Sequence, residues 1–250
     1  MPRATVYNIP PGWSFVDALA RGMMDRAHGD SLVLAGQLVL LPSRRACRAL
    51  REAFLRLTEG RPLLLPRMLP LGEADEDEMV LAGDGLDLPP AIPPLRRQLL
   101  LARLVLAMGG GRGGQAPSPD QATQLAGELA HLLDQVQTEG LDFSRLTELV
   151  PADYAEHWQI TLDFLKVITE HWPAILAEQG YMDAAQRRAE LILAQAEAWQ
   201  RSHPAQPVIA AGSTGSIPTT AALLTSVARL PNGTLVLPGL DPWMRPEAWD

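Results

Sequence analysis

Arginine side chains in one short segment are the strongest candidates for chemistry in this 250-residue chain. They follow Pro42 and Ser43, and they are Arg44, Arg45, Arg48 and Arg51. The spacing of Arg44, Arg48 and Arg51 places these three on one face of a helix that Ser43 caps. Positive charge at a helix N-terminus is unfavourable, so the position of these arginines indicates a binding role. Arginines beside the free N–H groups of a helix N-terminus favour phosphate as the ligand. A solvated arginine face and a surface for a partner protein are the alternatives.

A second candidate is a small-residue loop that joins a predicted strand to a predicted helix. It consists of Ala211, Gly212, Ser213, Thr214, Gly215 and Ser216. Loops in this position often bind phosphate. No Asp or Glu occurs between Ser202 and Leu240, so a metal-bound phosphate would lack a local carboxylate. The spacing also differs from that of a nucleophile elbow. A tight turn is the favoured interpretation, and an α/β protein or enzyme that binds a phosphorylated ligand through Gly212–Ser216 is the alternative.

The composition excludes several kinds of catalytic site. Only one of the 21 basic residues is a lysine, Lys166, and no glycine-rich loop precedes it, so the chain has no Walker A motif. The single cysteine, Cys47, excludes a disulfide framework, a cysteine zinc site and a cysteine-held iron–sulfur cluster within this chain. The five histidines show no metal-ligand spacing. We therefore predict no catalytic residues and no cofactor.

Charge is unevenly distributed within the formal net charge of −8. Residues 42–61 contain six arginines and two glutamates, whereas residues 73–87 contain seven acidic residues and no basic one. The acidic segment is interpreted as a solvated or partner-facing stretch. Because nucleic-acid binding depends on a local patch, the acidic total does not argue against it.

The elements that must position these residues predict an α/β fold. Strands are predicted at residues 5–9, 38–41, 63–65, 207–211 and 234–237, with helices at 15–27, 43–57 and 218–229 between them. Alternation of this kind is typical of a parallel sheet with crossover helices. Residues 95–200 contain only helical patterns. We predict a discontinuous α/β domain, residues 1–92 and 204–250, interrupted by a helical insertion at 93–203.

Several stretches resemble the N-terminal part of the AddB family, the second subunits of the alphaproteobacterial AddAB helicase–nucleases. The stretches cover nearly the whole chain: residues 42–57 (PSRRACRALREAFLRL), 65–78 (LPRMLPLGEADEDE), 94–105 (PLRRQLLLARLV), 133–150 (LDQVQTEGLDFSRLTELV), 156–175 (EHWQITLDFLKVITEHWPAI) and 208–241.

This resemblance implies a part in double-strand break repair and recombination. It implies a RecA-like, superfamily-one helicase-like domain whose motor is degenerate, with DNA and an AddA-like subunit as partners. The full-length relatives resemble iron–sulfur and Mg-dependent nucleases, and their nuclease domain is absent from this chain. We therefore expect a non-catalytic scaffold fragment. The sequence separately predicts a cytoplasmic location without a membrane partner, because its longest apolar stretch, residues 32–41, is too short to span a bilayer.

The resemblance also assigns the loops of the sheet. The loop in the Walker A position is Pro10, Pro11, Gly12, Trp13 and Ser14, without the lysine. Ala211 and Gly212 occupy the motif II position, without its Asp–Glu pair, and Ser213–Ser216 follow as its remnant. Residues 42–51 match the motif Ia region, which in active relatives contacts the DNA backbone. Arg44, Arg45, Arg48 and Arg51 are thus the expected DNA-binding residues.

Overall fold

A computed structural model describes residues 5–72, 88–108, 117–141 and 166–239, together with 241, 245 and 247. The predicted acidic segment, residues 73–87, and residues 109–116 and 142–165 of the predicted helical insertion lie outside these residues. The described residues divide into two compact units. The first contains the described residues of the ranges 1–85 and 191–250, and the second contains those of the range 86–190.

The first unit is built on a five-stranded, all-parallel sheet. The strands are β1 (Thr5–Ile9), β2 (Leu38–Leu41), β3 (Arg67–Pro70), β4 (Val208–Ala211) and β5 (Gly233–Pro238), and their order across the sheet is β1-β5-β4-β2-β3. Central strands β2 and β4 are buried at every residue, which is typical of a parallel sheet covered on both faces. The prediction of an α/β fold with a parallel sheet is confirmed.

Helices cover both faces of this sheet. The helices of this unit are α1 (Phe15–Arg26), α2 (Ser31–Ala35), α3 (Arg44–Leu57), the second half of α7 (Ala184–Arg201) and α8 (Pro218–Arg229). Val39 and Leu41 pack with α1, α2 and α3, whereas Leu38 and Leu40 pack with α7 and α8. Successive side chains of β2 therefore enter two apolar cores on opposite faces of the sheet.

The third strand begins after Pro66 and not at residue 63 as predicted. Leu64 and Leu65 are exposed, whereas Met68 and Leu69 are buried and pair with Val39 and Leu40 of β2. The leucine run between Pro62 and Pro66 has the composition of a strand, but proline lacks the N–H that a ladder requires at either end. Register with β2 decides the position of β3.

The second unit contains helices α4 (Pro94–Met108), α5 (Pro119–Glu139), α6 (Trp172–Gln179) and the first half of α7. Ser118 and Gln121 form the capping box of α5, and Gly140 ends it with a φ of 62°. A π-helical turn, Val167–His171, directly precedes α6. The sequence predicts that the helical insertion lies between residues 92/93 and 203/204. In the structure, Ile192, Ala196 and Trp199 of α7, which belong to that range, pack with the sheet.

A buried polar cluster holds the second unit together. Asp183 is fully buried, and its Oδ2 accepts hydrogen bonds from Trp172 Nε1 at 2.8 Å and Gln137 Nε2 at 2.9 Å. Arg97 forms ion pairs with Asp183 Oδ1 at 2.9 Å and with Asp134 Oδ1 at 2.8 Å. Because buried charges are costly unless they are paired, removal of one partner leaves the other with a large desolvation penalty.

Replacing Arg97 with methionine tests this cluster. We expect Arg97→Met to destabilise the protein by about 3–5 kcal/mol, because Asp183 keeps its burial and loses its cation. Thermal unfolding followed by circular dichroism measures the change. Arg96→Met is the matched control, because exposed Arg96 loses only a contact with Tyr181, for which we expect under about 1 kcal/mol. Equal effects of the two substitutions would contradict a structural role for the Arg97–Asp183 pair.

Candidate functional site

Three loops meet at the carboxyl edge of the sheet. Parallel strands all end at this edge, so the loops that follow β1, β2 and β4 are neighbours. A Cβ atom added to Gly212 would lie 3.2 Å from Phe15 Cε1 and 3.6 Å from Pro42 Cδ. The structure thus brings the loop at residues 10–14, the start of α3 and the loop at 211–216 into one region.

The chain reverses its direction across the sheet at this point. From β2 it continues through α3 to β3, whereas from β4 it continues through α8 to β5. Helices α3 and α8 pack on opposite faces of the sheet, so the change of direction lies between the ends of β2 and β4. In open α/β sheets such a switch point is the usual place for a ligand.

The first loop does not fit a nucleotide and its metal ion. Gly12 has a φ of 93°, Trp13 is 70% exposed, and no lysine is available to reach a phosphate. The side chain of Phe15, the residue after Ser14, packs against Gly212 at the end of β4. Ala211 and Gly212 offer no carboxylate to Mg²⁺. We derive no nucleotide chemistry from these residues.

Ser14 occupies the N-cap position of α1, but its side chain does not bond to the helix backbone. Its hydroxyl donates to Asp17 Oδ2 at 2.5 Å, and Arg56 on α3 forms an ion pair with Asp17 Oδ1. Two hydrogen bonds hold the pKa of the Asp17 carboxyl below its ordinary value of 3.8. The one from Ser14 has the larger effect, and the one from Arg56 has the smaller effect. This contact joins α1 to α3.

The loop after β4 is closely packed. Gly212 and Gly215 have positive φ values of 77° and 71°, and a Cβ atom on Gly215 would lie 3.3 Å from Leu224 Cδ1. The backbone N–H of Gly215 donates to Ser213 Oγ at 3.4 Å. Thr214 and Ser216 are exposed. These contacts are those of a tight turn that seats α8 against β4.

Helix α3 presents the predicted arginines to solvent. Ser43 Oγ accepts a hydrogen bond from the N–H of Ala46 at 3.2 Å, so the predicted cap is present. All four arginines of the set Arg44, Arg45, Arg48 and Arg51 are exposed. Cys47, Leu50, Ala53 and Phe54 form the opposite, buried face. The apolar face therefore fixes which way the arginines point.

The exposed side of α3 carries two rows of side chains. Arg44, Arg48, Arg51 and Leu55 recur at helical spacing and form what we name the arginine stripe. Arg45, Glu52 and Arg56 form the other row, and Arg56 reaches Asp17 on α1. The arginine stripe consequently lies on the flank of α3 turned away from α1, and it contains no acidic residue.

Sequence patterns alone did not identify Leu55 or the Arg56–Asp17 pair as parts of this region. Leu55 is 58% exposed at the end of the arginine stripe. The spacing of Ser14 and Asp17 is that of a capping box, which is the signal that could have identified Asp17. A backbone hydrogen bond also fixes the start of α3, because the N–H of Gly72 donates to the carbonyl of Pro42 at 3.1 Å.

No family model and no curated protein matches this chain.

Two searches of the described residues concern other kinds of site. No group of three or more His, Cys, Asp or Glu side chains in residues 5–72, 88–108, 117–141 and 166–239 is arranged to hold a metal ion. Within the same ranges, no helix has the length and apolar character needed to cross a membrane.

The Asp17 contact has a testable pH dependence. Since the pKa of Asp17 is lower in the folded than in the unfolded protein, its stabilisation is present above pH 3.8 and is lost as pH falls through the folded pKa. We expect Asp17→Asn to lower the urea midpoint slightly at pH 6, and the difference from the unaltered protein to shrink towards pH 3. Asp25→Asn, which changes an exposed carboxyl on the same helix, is the control. A difference that stays constant with pH would contradict the assignment.

The composition of the loop at residues 10–14 predicts that the chain neither binds nor hydrolyses ATP. We expect no hydrolysis of ATP and no rise in the melting temperature with Mg-ATP, because the loop offers neither lysine nor carboxylate. Sugar phosphates are included in the same thermal-shift assay, since the loop at Gly212–Ser216 is the alternative phosphate site. Turnover that persists through purification from contaminating ATPases would contradict this prediction.

Proposed function

We propose that this chain is a non-catalytic, helicase-like scaffold of a DNA double-strand break repair subunit, and that the arginine stripe contacts the nucleic-acid backbone. The observation that carries the proposal is the exposure of Arg44, Arg48 and Arg51 on one flank of α3, beside the carboxyl edge of the sheet. Arg45 lies at the same helix end and adds to the positive potential.

The finer assignment of the fold, a degenerate RecA-like domain, is part of the same proposal. It rests on the resemblance to the AddB family, which assigns the loop at 10–14 to the Walker A position and the loop at 211–216 to motif II. The contact between Phe15 and Gly212 supports it, because two halves of one ancestral motor site must be neighbours. The motif Ia position then corresponds to the start of α3.

The chemistry of the stripe suits phosphates better than bases. Guanidinium groups bind phosphate oxygens, and such contacts position a protein on nucleic acid without reading its sequence. Arg44 to Arg51 spans about 10 Å along the helix axis at 1.5 Å per residue, so the stripe can meet only a few phosphates. We accordingly propose a backbone contact that helps a larger assembly hold a DNA end. An AddA-like subunit is the proposed partner in that assembly.

Paired substitutions test the proposal. We expect Arg48→Ala with Arg51→Ala to weaken binding to a DNA end roughly tenfold or more, because two charge-assisted contacts are lost. The slope of log affinity against log salt should fall by about 2. Fluorescence anisotropy with a labelled duplex end measures both quantities.

Arg201→Ala with Arg229→Ala is the matched control, since it removes the same charge from exposed positions on α7 and α8. We expect this control to bind DNA as the unaltered protein does. Equal losses in both double variants would show a general charge effect and contradict the stripe. Unchanged binding in the Arg48 and Arg51 variant would also contradict it.

A further inference from the structure

A pocket of about 410 Å³ opens within the second unit, among α4, α5 and the start of α7. Its larger lining side chains are those of Ile92, Arg97, Gln98, Asp134, Thr138 and Arg188, and its other described lining residues are proline, alanine and glycine. Sites for small molecules usually have volumes of about 300–1,000 Å³. The volume of this pocket is therefore that of a small-molecule site.

A glycine inside α5 keeps the pocket wide. Glycine destabilises the interior of a helix relative to alanine, so Gly127 costs the helix stability. Close packing does not require this glycine, because an added Cβ atom would meet nothing within 4 Å. Gly127, Ala130, Asp134 and Thr138 recur at spacings of three and four residues and form one row along the pocket. A long side chain at residue 127 would narrow the space beside this row.

Arg188 is the unpaired cation of the pocket. It is half-buried, and it forms no ion pair or hydrogen bond with any residue that the structure describes. Arg97, the other cation of the lining, is buried and pairs with Asp134 and Asp183. Because water screens a half-buried charge less than an exposed one, Arg188 attracts an anionic group of a ligand. A carboxylate matches the planar donors of its guanidinium.

Asp134 adds a negative charge to the same lining, and its side chain is 44% exposed. A carboxylate has about four lone-pair sites, so the ion pair with Arg97 leaves Asp134 able to accept from a further donor. The charges of Arg97, Asp134, Asp183 and Arg188 sum to zero. A ligand that carries one carboxylate and one ammonium group preserves this balance, whereas a phosphate dianion would be repelled by Asp134.

We propose that this pocket binds a free α-amino acid. The carboxylate of the ligand pairs with Arg188, and its ammonium group donates to Asp134. Gln98 and Thr138 offer neutral hydrogen-bonding groups, and the apolar lining, which includes Ile92, accommodates the side chain of the ligand. The pocket lies within the second unit and the arginine stripe within the first, so this inference is independent of the proposed DNA contact.

Thermal unfolding of the whole chain with each of the common amino acids tests the proposal, because a ligand of the folded state raises the melting temperature. Isothermal titration then compares the amino acid that gives the largest rise with two analogues, the amine without its carboxylate and the acid without its ammonium group. We expect each analogue to bind roughly tenfold or more weakly, since each loses one charge-assisted contact. No rise with any amino acid, equal affinity of either analogue, or tighter binding of inorganic phosphate would overturn the proposal.

Two variants locate the binding site. Gly127→Leu narrows the pocket while favouring the helix, so binding should weaken roughly tenfold or more without a fall in melting temperature. Arg188→Met should weaken binding of the amino acid roughly tenfold or more, but should leave the amine analogue unchanged, because that analogue has no carboxylate. Arg103→Met is the control, since Arg103 is an exposed residue of α4 outside the described lining, and it should bind as the unaltered protein does. Unchanged binding in Gly127→Leu or in Arg188→Met would overturn the assigned site.

Discussion

The burial of one face of α3 against the sheet is the interaction on which the proposed site depends. Cys47, Leu50 and Phe54 pack with Val39 and Leu41 of β2, and burying such side chains stabilises each by roughly 1.5–3 kcal/mol. A helix held in this way cannot rotate about its axis. The arginines therefore project away from the sheet along a fixed line, and their common direction follows from apolar packing and not from contacts of their own.

The parallel sheet imposes the second constraint. Because every strand ends at the same edge, residues far apart in sequence meet there, as Phe15, Pro42 and Gly212 do. In an active motor such a meeting point would hold a nucleotide. Here an aromatic side chain packs against the glycine, and the remaining polar contact of the first loop, from Ser14 to Asp17, ties α1 to α3. The side chains of this region are closely packed, and the exposed arginines of the candidate site lie on α3.

Local patterns in the sequence predicted most elements of the fold, because caps and helical periodicity are local properties. Helix α8 begins and ends as predicted, and the predicted cap at Ser43 is present. The predicted position of β3 was wrong, because register with β2 is a long-range property that cannot be read from the leucine run alone. The five-residue helix α2 was missed because so short a segment shows no periodicity. The shared exposed face of Arg44, Arg48 and Arg51 followed from their spacing. The Arg97–Asp183 cluster and the Arg56–Asp17 pair join elements that no local pattern relates.

Cross-linking to DNA from a single position tests the central claim most directly. Leu55 lies in the arginine stripe, and Leu193 is an exposed leucine of α7 in the same unit. Because the only native cysteine, Cys47, is buried, Leu55→Cys and Leu193→Cys can each carry a photoactivatable cross-linker selectively. The account predicts that a DNA end cross-links to position 55 and not to position 193, and that added salt abolishes the product. Cross-links of equal yield from both positions, or from position 193 alone, would contradict it.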